Sequence, residues 1–231
     1  MKYLLLVCIA FLTTEAAPSP KRAFFKDMRR DSYLISGEEA QVGEFPHQIS
    51  LRSGVANTHS CGGSLISPTA VLTAAHCVNP VNPDNYKVWV GQHTHHQYEA
   101  EHEVDYIDQH EDYSLVTWEH DLAILFLASP VNDSSDVVGF IRIASASDDL
   151  VGDGCVLSGW GEYEDGWPLQ LQRADVPVLT TEECRERMIA CDCNAWIFET
   201  QLCTYDGNTA ACSGDSGGPI TCLGETVNGV V

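Results

Sequence analysis

Basic residues are scarce in this sequence. Its 231 residues include 12 lysines and arginines against 33 aspartates and glutamates, which gives a formal net charge of −21 at pH 7. A protein that binds nucleic acid needs a basic face to neutralise phosphates. The composition therefore argues against nucleic acid as a partner and favours a well-solvated acidic surface.

Long apolar runs are also missing. A membrane span needs about 20 apolar residues, and no segment beyond the N-terminus approaches that length. The N-terminal run from Tyr3 to Leu12 is shorter, follows Met1-Lys2 and leads to small residues near Ala16-Ala17. Residues 1–17 are therefore typical of a cleaved secretory signal. We expect a secreted, extracellular and soluble protein with no membrane partner.

Cysteine, by contrast, is plentiful. Ten cysteines imply disulfide bonds and an oxidising compartment, which agrees with a secretory signal. Their pairing cannot be deduced from sequence alone. Cys8 leaves with the signal, so an odd number remains.

The composition changes again after the signal. Residues 18–33 carry five of the chain's basic residues against only two acidic ones, Asp27 and Asp31. This short basic segment is typical of a propeptide. Residues 34–231 would then form the mature domain, which is long enough to bury a good core.

The mature domain has the pattern of β-strands. Apolar and polar residues alternate around Ile49 and around Val88, and 122–127 is a short apolar run like a buried strand. Such strands, separated by Gly, Pro and Asn, predict an all-β fold, but they do not distinguish barrels from a sandwich. Thr180, followed by Glu182 and Glu183, predicts the start of a short helix.

A serine in a glycine-rich segment is the first candidate for chemistry. Residues 211–219 have the sequence Ala-Cys-Ser-Gly-Asp-Ser-Gly-Gly-Pro, and glycine lets a backbone approach a substrate closely. The backbone N–H groups of Gly214 and Ser216 could point into one small space, as an oxyanion hole requires. A serine hydroxyl is a weak nucleophile unless a base activates it.

Two further segments supply a base and an acid. Residues 73–77 place His76 beside a cysteine, and residues 120–125 open an apolar run with Asp121. In the order His, Asp, Ser, the three motifs resemble the chymotrypsin/trypsin family of serine endopeptidases. The resemblance implies Ser216 as nucleophile, His76 as general base and then acid, and Asp121 as the group that orients and stabilises the imidazolium, with no cofactor.

The resemblance also implies a fold and an activation step. The family has two six-stranded antiparallel β-barrels with the active site in the cleft between them. Its mature N-terminal amine inserts beside the aspartate that precedes the nucleophile, which here pairs Leu34 with Asp215. The family usually begins with Ile or Val after a basic residue, but Tyr33 precedes Leu34, so we expect cleavage after an aromatic residue or later trimming. The family continues past a segment like 229–231, so we expect the second barrel to lack its last strand and the C-terminal helix.

The specificity pocket can be placed by the same resemblance. The residue at the base of the pocket corresponds to Ala210, which is followed by Ala211, and Ser213 would lie at the rim. A small apolar floor favours cleavage after apolar or aromatic residues, as in the chymotrypsin-like branch, and the residues present leave a shallower, elastase-like pocket as the alternative. Tyr33 at the activation junction agrees with that preference, so self-activation is a coherent hypothesis.

Disulfide pairs are implied for most of the cysteines. The resemblance pairs Cys61 with Cys77, Cys155 with Cys222, and Cys184 with Cys203. It leaves Cys191, Cys193 and Cys212 without assigned partners. The Cys191-Asp192-Cys193 sequence could form a lineage-specific bridge or contribute to a metal site.

Two loops allow further hypotheses. Asn132-Asp133-Ser134 is a sequon for N-glycosylation, or an ordinary turn. A second loop is rich in histidines and acids and could bind zinc, or calcium as in some family members, although Gln92 stands where a glutamate would be wanted. We predict a solvated polar loop without metal. The histidines and acids are His93, His95, His96, His102, Glu99, Glu101 and Glu103.

Three functions remain open. The first is a secreted, monomeric serine endopeptidase made as a zymogen, with protein or peptide substrates and protease inhibitors as partners. The second is a catalytically weak or inactive homologue that acts as a binding or decoy protein. The third is an acidic carrier that uses the histidine-rich loop.

Overall fold

The computed structural model describes most of the proposed mature domain. The described residues are 37–94, 96–145, 154–162, 166–190, 197–198, 200–205, 211–222 and 226–231. The proposed signal and propeptide lie outside these ranges, as do Leu34, His95, Cys191, Cys193 and Ala210.

Thirteen strands make up the described fold, which confirms the all-β prediction. In chain order they are β1 Glu38–Glu39, β2 Gln48–Ser53, β3 Thr58–Ser67, β4 Ala70–Thr73, β5 Tyr86–Val90, β6 Ala100–Gln109, β7 Ala123–Leu127, β8 Arg142–Ile143, β9 Gly154–Gly159, β10 Gln172–Leu179, β11 Cys203–Thr204, β12 Pro219–Cys222 and β13 Thr226–Val230.

Six of these strands close into a barrel in the order β2-β3-β4-β7-β6-β5. The pleat of a strand sends alternate side chains to opposite faces. In β5, Tyr86, Val88 and Val90 are therefore buried, while Lys87 and Trp89 are half-buried. The inward side chains from all six strands form one apolar core, which stabilises the barrel by removing apolar surface from water.

The other seven strands form a second sheet. Its order is β1-β10-β9-β12-β13-β8, with β11 paired to β10, and within the described residues it does not close. The one α-helix of the described residues, α1 Thr181–Ala190, begins one residue after Thr180. The Thr180 hydroxyl accepts from the Glu183 N–H at 3.1 Å, and the Glu183 carboxylate accepts from the Thr180 N–H at 2.9 Å. This reciprocal cap is the reason that the helix starts here. No helix in the described ranges is long and apolar enough to cross a membrane.

The barrel and the second sheet meet along a seam of buried polar contacts. The Ser158 hydroxyl on β9 donates to Gln48 Oε1 on β2 at 2.7 Å. The Gly62 N–H on β3 donates to the Ser216 carbonyl oxygen at 2.7 Å. A methyl group on Gly62 would come within 2.8 Å of Gly218 Cα, so the two backbones touch directly because Gly62 lacks a side chain.

Arg173, one of the few basic residues, anchors the segment that follows the proposed activation junction. Its guanidinium contacts carboxylates of Glu38 at 2.9 Å, Glu44 at 3.2 Å and Asp175 at 2.8 Å. Glu38 also pairs with Arg173 in the β1–β10 ladder. Single exposed ion pairs contribute little, but two carboxylates of this segment, Glu38 and Glu44, on one guanidinium restrict where the segment can lie.

His47 is expected to make the fold sensitive to mild acid. It is only 7% exposed, its Nε2 atom has no hydrogen-bond partner among the residues that the structure describes, and burial lowers its pKa to about 4. The unfolded chain therefore binds this proton more readily, and the free energy of unfolding falls by up to about 3 kcal/mol between pH 6.5 and pH 4. In urea unfolding, the free energy of unfolding of His47→Leu should fall less than that of the wild type between pH 6.5 and pH 4, because the contribution of His47 is removed. The matched control is the exposed His96→Gln; an unchanged pH dependence in His47→Leu would contradict the assignment.

Candidate active site

His76 and Asp121 come together because their strands are neighbours. His76 begins a short 3-10 turn just after β4, and Asp121 lies just before β7. In the antiparallel β4–β7 ladder Thr73 is opposite Ala123, so both residues leave the barrel at the same edge. His76 Nδ1 lies 2.6 Å from Asp121 Oδ2, and the His76 backbone N–H donates to Asp121 Oδ1 at 2.8 Å.

The electrostatics of this pair are set by burial. The Asp121 side chain is fully buried, while that of His76 is 21% exposed. A buried carboxylate needs donors for its oxygens, and His76 supplies one to each. Because Nδ1–H donates to Asp121, the lone pair of Nε2 is available to accept a proton. The pair can therefore act as an oriented general base.

Ser216 lies in a turn that is seated against the barrel near His76. Its carbonyl oxygen is the one that accepts from Gly62 across the seam. The next residue, Gly217, has φ +78°, and a side chain there would collide with Thr73 Oγ1 and come within 3.1 Å of Cys77 Sγ. The turn thus presses on the end of β4 and on the residue after His76, and only glycine fits at its point of contact.

A disulfide ties down the same region. Cys61 and Cys77 are bonded at 2.02 Å, and Cys77 Sγ lies 3.6 Å from His76 Nε2. These three residues cluster closely enough to suggest a metal site. Cysteine binds metals as the thiolate, however, and both sulfurs here are in the disulfide, so this group does not fit a metal.

Gly214 is held by a histidine that the sequence analysis did not single out. Gly214 is buried with φ +95°. Its carbonyl oxygen lies 3.0 Å from His59 Nε2, and His59 Nδ1 lies 2.7 Å from the Ser50 hydroxyl. Since a carbonyl only accepts, Nε2 must donate, and neutral Nδ1 then accepts from Ser50. The ring of Trp167 packs edge-on to His59 at 6.0 Å and occupies the space that a side chain on Gly214 would need.

Asp215 is a buried carboxylate next to the candidate nucleophile. It is 2% exposed and accepts from the N–H groups of Gly161 at 2.7 Å and Cys212 at 2.9 Å. Burial raises its pKa to about 6, against the opposing effect of these two hydrogen bonds. None of the residues that the structure describes gives it a positive charge. A cation inserted here would stabilise the ionised carboxylate.

The remaining predicted site residues are less closely connected to the pair. Ala211 is buried, whereas Cys212 and Ser213 are exposed. Cys212 is not disulfide-bonded in the described part of the chain. Asn132 is exposed in a turn, where its Oδ1 accepts from the Ser134 N–H at 3.1 Å. Besides the bond beside His76, the structure joins Cys155 to Cys222 and Cys184 to Cys203.

The predicted histidine-rich loop is in part a strand, since its residues from Ala100 onward belong to β6, and its described side chains do not gather around one point. His102 is buried on β6, with Nδ1 3.1 Å from the Ser129 hydroxyl. His93 instead faces Glu39, with Nε2 3.7 Å from a carboxylate oxygen. Glu99 accepts from Ser135 at 2.7 Å. These residues have separate partners, which weakens the hypothesis of a carrier that binds metal here.

Trp118 is a second residue at the site that sequence analysis missed. Its indole ring packs edge-on against the His76 imidazole, with centroids 5.3 Å apart. A tryptophan three residues before Asp121 was the available signal. Its contact with His76 depends on the folded path of the loop that contains it and has no sequence motif.

Comparisons with known proteins identify the family of this chain. The family model described as Trypsin matches residues 34–231. The chain is 38% identical to "Fibrinolytic enzyme, isozyme C" of Lumbricus rubellus over 82% of this chain and 81% of that protein. It is 35% identical to a Mus musculus tryptase, covering 97% of this chain and 85% of that protein. It is 33% identical to a "Vitellin-degrading protease" of Bombyx mori, covering 94% and 79%. The chain therefore belongs to the trypsin family and is a serine endopeptidase.

Proposed function

We propose that this protein is a secreted serine endopeptidase, made as a zymogen, that uses Ser216, His76 and Asp121 as its catalytic triad. The observation that carries the proposal is the His76–Asp121 pair. His76 donates to both carboxylate oxygens of Asp121. The turn that bears Ser216 is packed against Cys77, the residue that follows His76. This arrangement supports acyl transfer better than a binding role, which would not require an oriented base.

Catalysis would begin with proton transfer from Ser216 Oγ to His76 Nε2 as Oγ attacks the scissile carbonyl carbon. Asp121 stabilises the imidazolium that forms and keeps its ring oriented. The carbonyl oxygen becomes negatively charged and accepts hydrogen bonds from the N–H groups of Gly214 and Ser216; such donors are worth about 3–4 kcal/mol each. The imidazolium then protonates the leaving amine, and the acyl-enzyme is hydrolysed by a water that His76 activates.

Activation would depend on Asp215. The carboxylate lies in a site that disfavours its charge, on the backbone between the two oxyanion donors. The amine of Leu34, released by cleavage after Tyr33, would supply the missing positive charge. We propose that this ion pair orders the segment 213–217, and that Arg173 helps by anchoring the chain that follows Leu34.

Substrate preference would be for apolar or aromatic side chains. Ala210 and Ala211, the residues proposed for the pocket base, carry no charge, and Ser213 would form its rim. The named relatives include enzymes described by their action on fibrin and on vitellin, and we propose protein substrates here as well, with protease inhibitors as further partners of a monomer. Asn132, exposed in its turn, is proposed as a glycosylation site.

Labelling with a fluorophosphonate probe tests the proposal. Protein trimmed to Leu34 should be labelled at Ser216, as located by mass spectrometry. His76→Ala should lower the labelling rate about a millionfold, and Ser216→Ala should abolish it. The exposed His96→Ala, which keeps the triad, should label normally. A folded, trimmed chain that does not label would overturn the proposal and favour a binding protein.

A further inference from the structure

The contact between Trp118 and His76 is maintained by an unusual backbone. Trp118 has φ +59°, in the left-handed region, where a bulky residue is an outlier. Its indole plane lies at 61° to the imidazole plane, with the ring centroids 5.3 Å apart. Strain of this kind persists only where the surroundings enforce it, and it concentrates at functional sites.

The surroundings that enforce it are hydrogen bonds to Ser114. The Trp118 N–H donates to the Ser114 carbonyl oxygen at 2.8 Å, and the Ser114 N–H donates to the Glu119 carbonyl oxygen at 3.2 Å. The Ser114 hydroxyl accepts from the N–H groups of Val116 at 3.3 Å and Thr117 at 3.2 Å. Backbone bonds therefore hold Trp118, whose side chain is not buried: the residue is 41% exposed.

The base of the same loop is fixed beside Asp121. His120 also has a left-handed backbone, with φ +54°, and its ring stacks on His110 with centroids 4.7 Å apart and planes at 15°. The nitrogen lone pairs lie in the ring planes, and because these planes are nearly parallel the stack does not favour a shared metal ion. The loop instead places Asp121 and Trp118 against the same imidazole.

We infer that Trp118 is a positioning residue for His76. Asp121 holds one edge of the ring, and the remaining exposure of the His76 side chain is 21%. The indole covers the ring from a second direction, which limits its rotation away from Asp121 and keeps water from the pair. An edge-on aromatic contact is itself attractive. The inference rests on the proposed function, since it assigns Trp118 a part in proton transfer by His76.

The test compares Trp118→Asn with Trp118→Phe. Asparagine tolerates the left-handed region but lacks the ring, whereas phenylalanine keeps a ring. We expect Trp118→Asn to lower the fluorophosphonate labelling rate and kcat on an N-acetyltyrosine ester by about 10- to 100-fold, with little change in KM. Trp118→Phe should retain activity within about threefold of the wild type. The urea midpoint of Trp118→Asn should not fall, because the relief of backbone strain offsets the lost contact between the rings.

Leu115→Asn is the matched control, since Leu115 is 60% exposed on the same loop; it should leave ester kinetics unchanged. A loss confined to extended peptide substrates, with normal labelling and ester hydrolysis, would make Trp118 a substrate contact only and overturn the inference. An equal loss in both Trp118 variants, with lower urea midpoints, would also overturn it. Wild-type protein that fails to label would overturn the proposed function itself.

Discussion

Asp121→Asn is expected to lower kcat by about ten-thousand-fold while leaving the chain folded. Asp121 Oδ1 accepts from the His76 backbone N–H, so the amide oxygen of asparagine must take that place. Its NH2 group then faces His76 Nδ1, which must become the acceptor. The ring proton moves to Nε2, and Nε2 can no longer accept a proton from Ser216. A loss of this size is known for the same change in related triads.

The measurement is kcat on a peptide amide substrate, together with urea unfolding to establish that the variant folds. Asp112→Asn provides a matched control, because Asp112 is an exposed carboxylate on the loop that leads to Asp121 and its removal changes net charge equally. We expect Asp112→Asn to remain close to wild type. An Asp121→Asn enzyme with more than a tenth of the wild-type kcat would show that His76 does not need the carboxylate.

Cleavage before Leu34 is expected to raise activity at least a hundredfold and to change how stability depends on pH. In the uncleaved chain Asp215 has a raised pKa of about 6, so the folded state binds its proton more tightly than the unfolded state. Proton binding by Asp215 therefore stabilises the folded state by about 3 kcal/mol below about pH 3.8, and this stabilisation is lost as the pH rises through about 6. An inserted amine would pair with the ionised carboxylate and remove this loss. A buried charge without its partner costs about 3–5 kcal/mol. If the uncleaved chain must meet this cost to order the segment 213–217, its activity is lower by a factor of at least about a hundred.

The experiment can isolate the amine because lysine is so rare. Lys87 is the only lysine after Leu34, so in a Lys87→Arg protein acetylation modifies the new N-terminus alone. Active-site titration and urea unfolding at pH 5 and pH 8 would be compared for uncleaved, cleaved, and cleaved and acetylated protein. His47 makes the same contribution to the pH dependence of stability in all three proteins, so the differences among them report on Asp215. We expect acetylation to return the cleaved protein to the behaviour of the precursor; full activity after acetylation would rule out the ion pair.

The sequence predicted the strands better than it predicted their pairing. Alternation in 86–90 and the apolar run after Asp121 are local patterns, and both segments became strands of the barrel. Closure of the barrel brings β2 beside β5 as well as β3, and this depends on contacts between distant segments. The two-residue strands β1, β8 and β11 are too short to show any alternation. The capped start of α1 was predictable because its signal lies within four residues.

The candidate site shows the same division. His76, Asp121 and Ser216 stand in motifs that could be found by sequence alone. His59 and Trp118 have no motif, because each acts through a partner in a distant segment: Gly214 for His59 and His76 for Trp118. The raised pKa of Asp215 is likewise a property of the folded interior, since it arises from burial.

The buried seam between barrel and sheet has a consequence for how such enzymes can diversify. The bonds from Gly62 to Ser216 and from Ser158 to Gln48 involve no residue of the loop 111–119. The exposed side chains of this loop other than Trp118 can therefore change during evolution while the backbone positions of His76 and Ser216 stay fixed. Selection can act on those side chains without altering the triad. Gly62 and Gly217 cannot be substituted in this way, because each lies where two backbone segments meet and leave no space for a side chain.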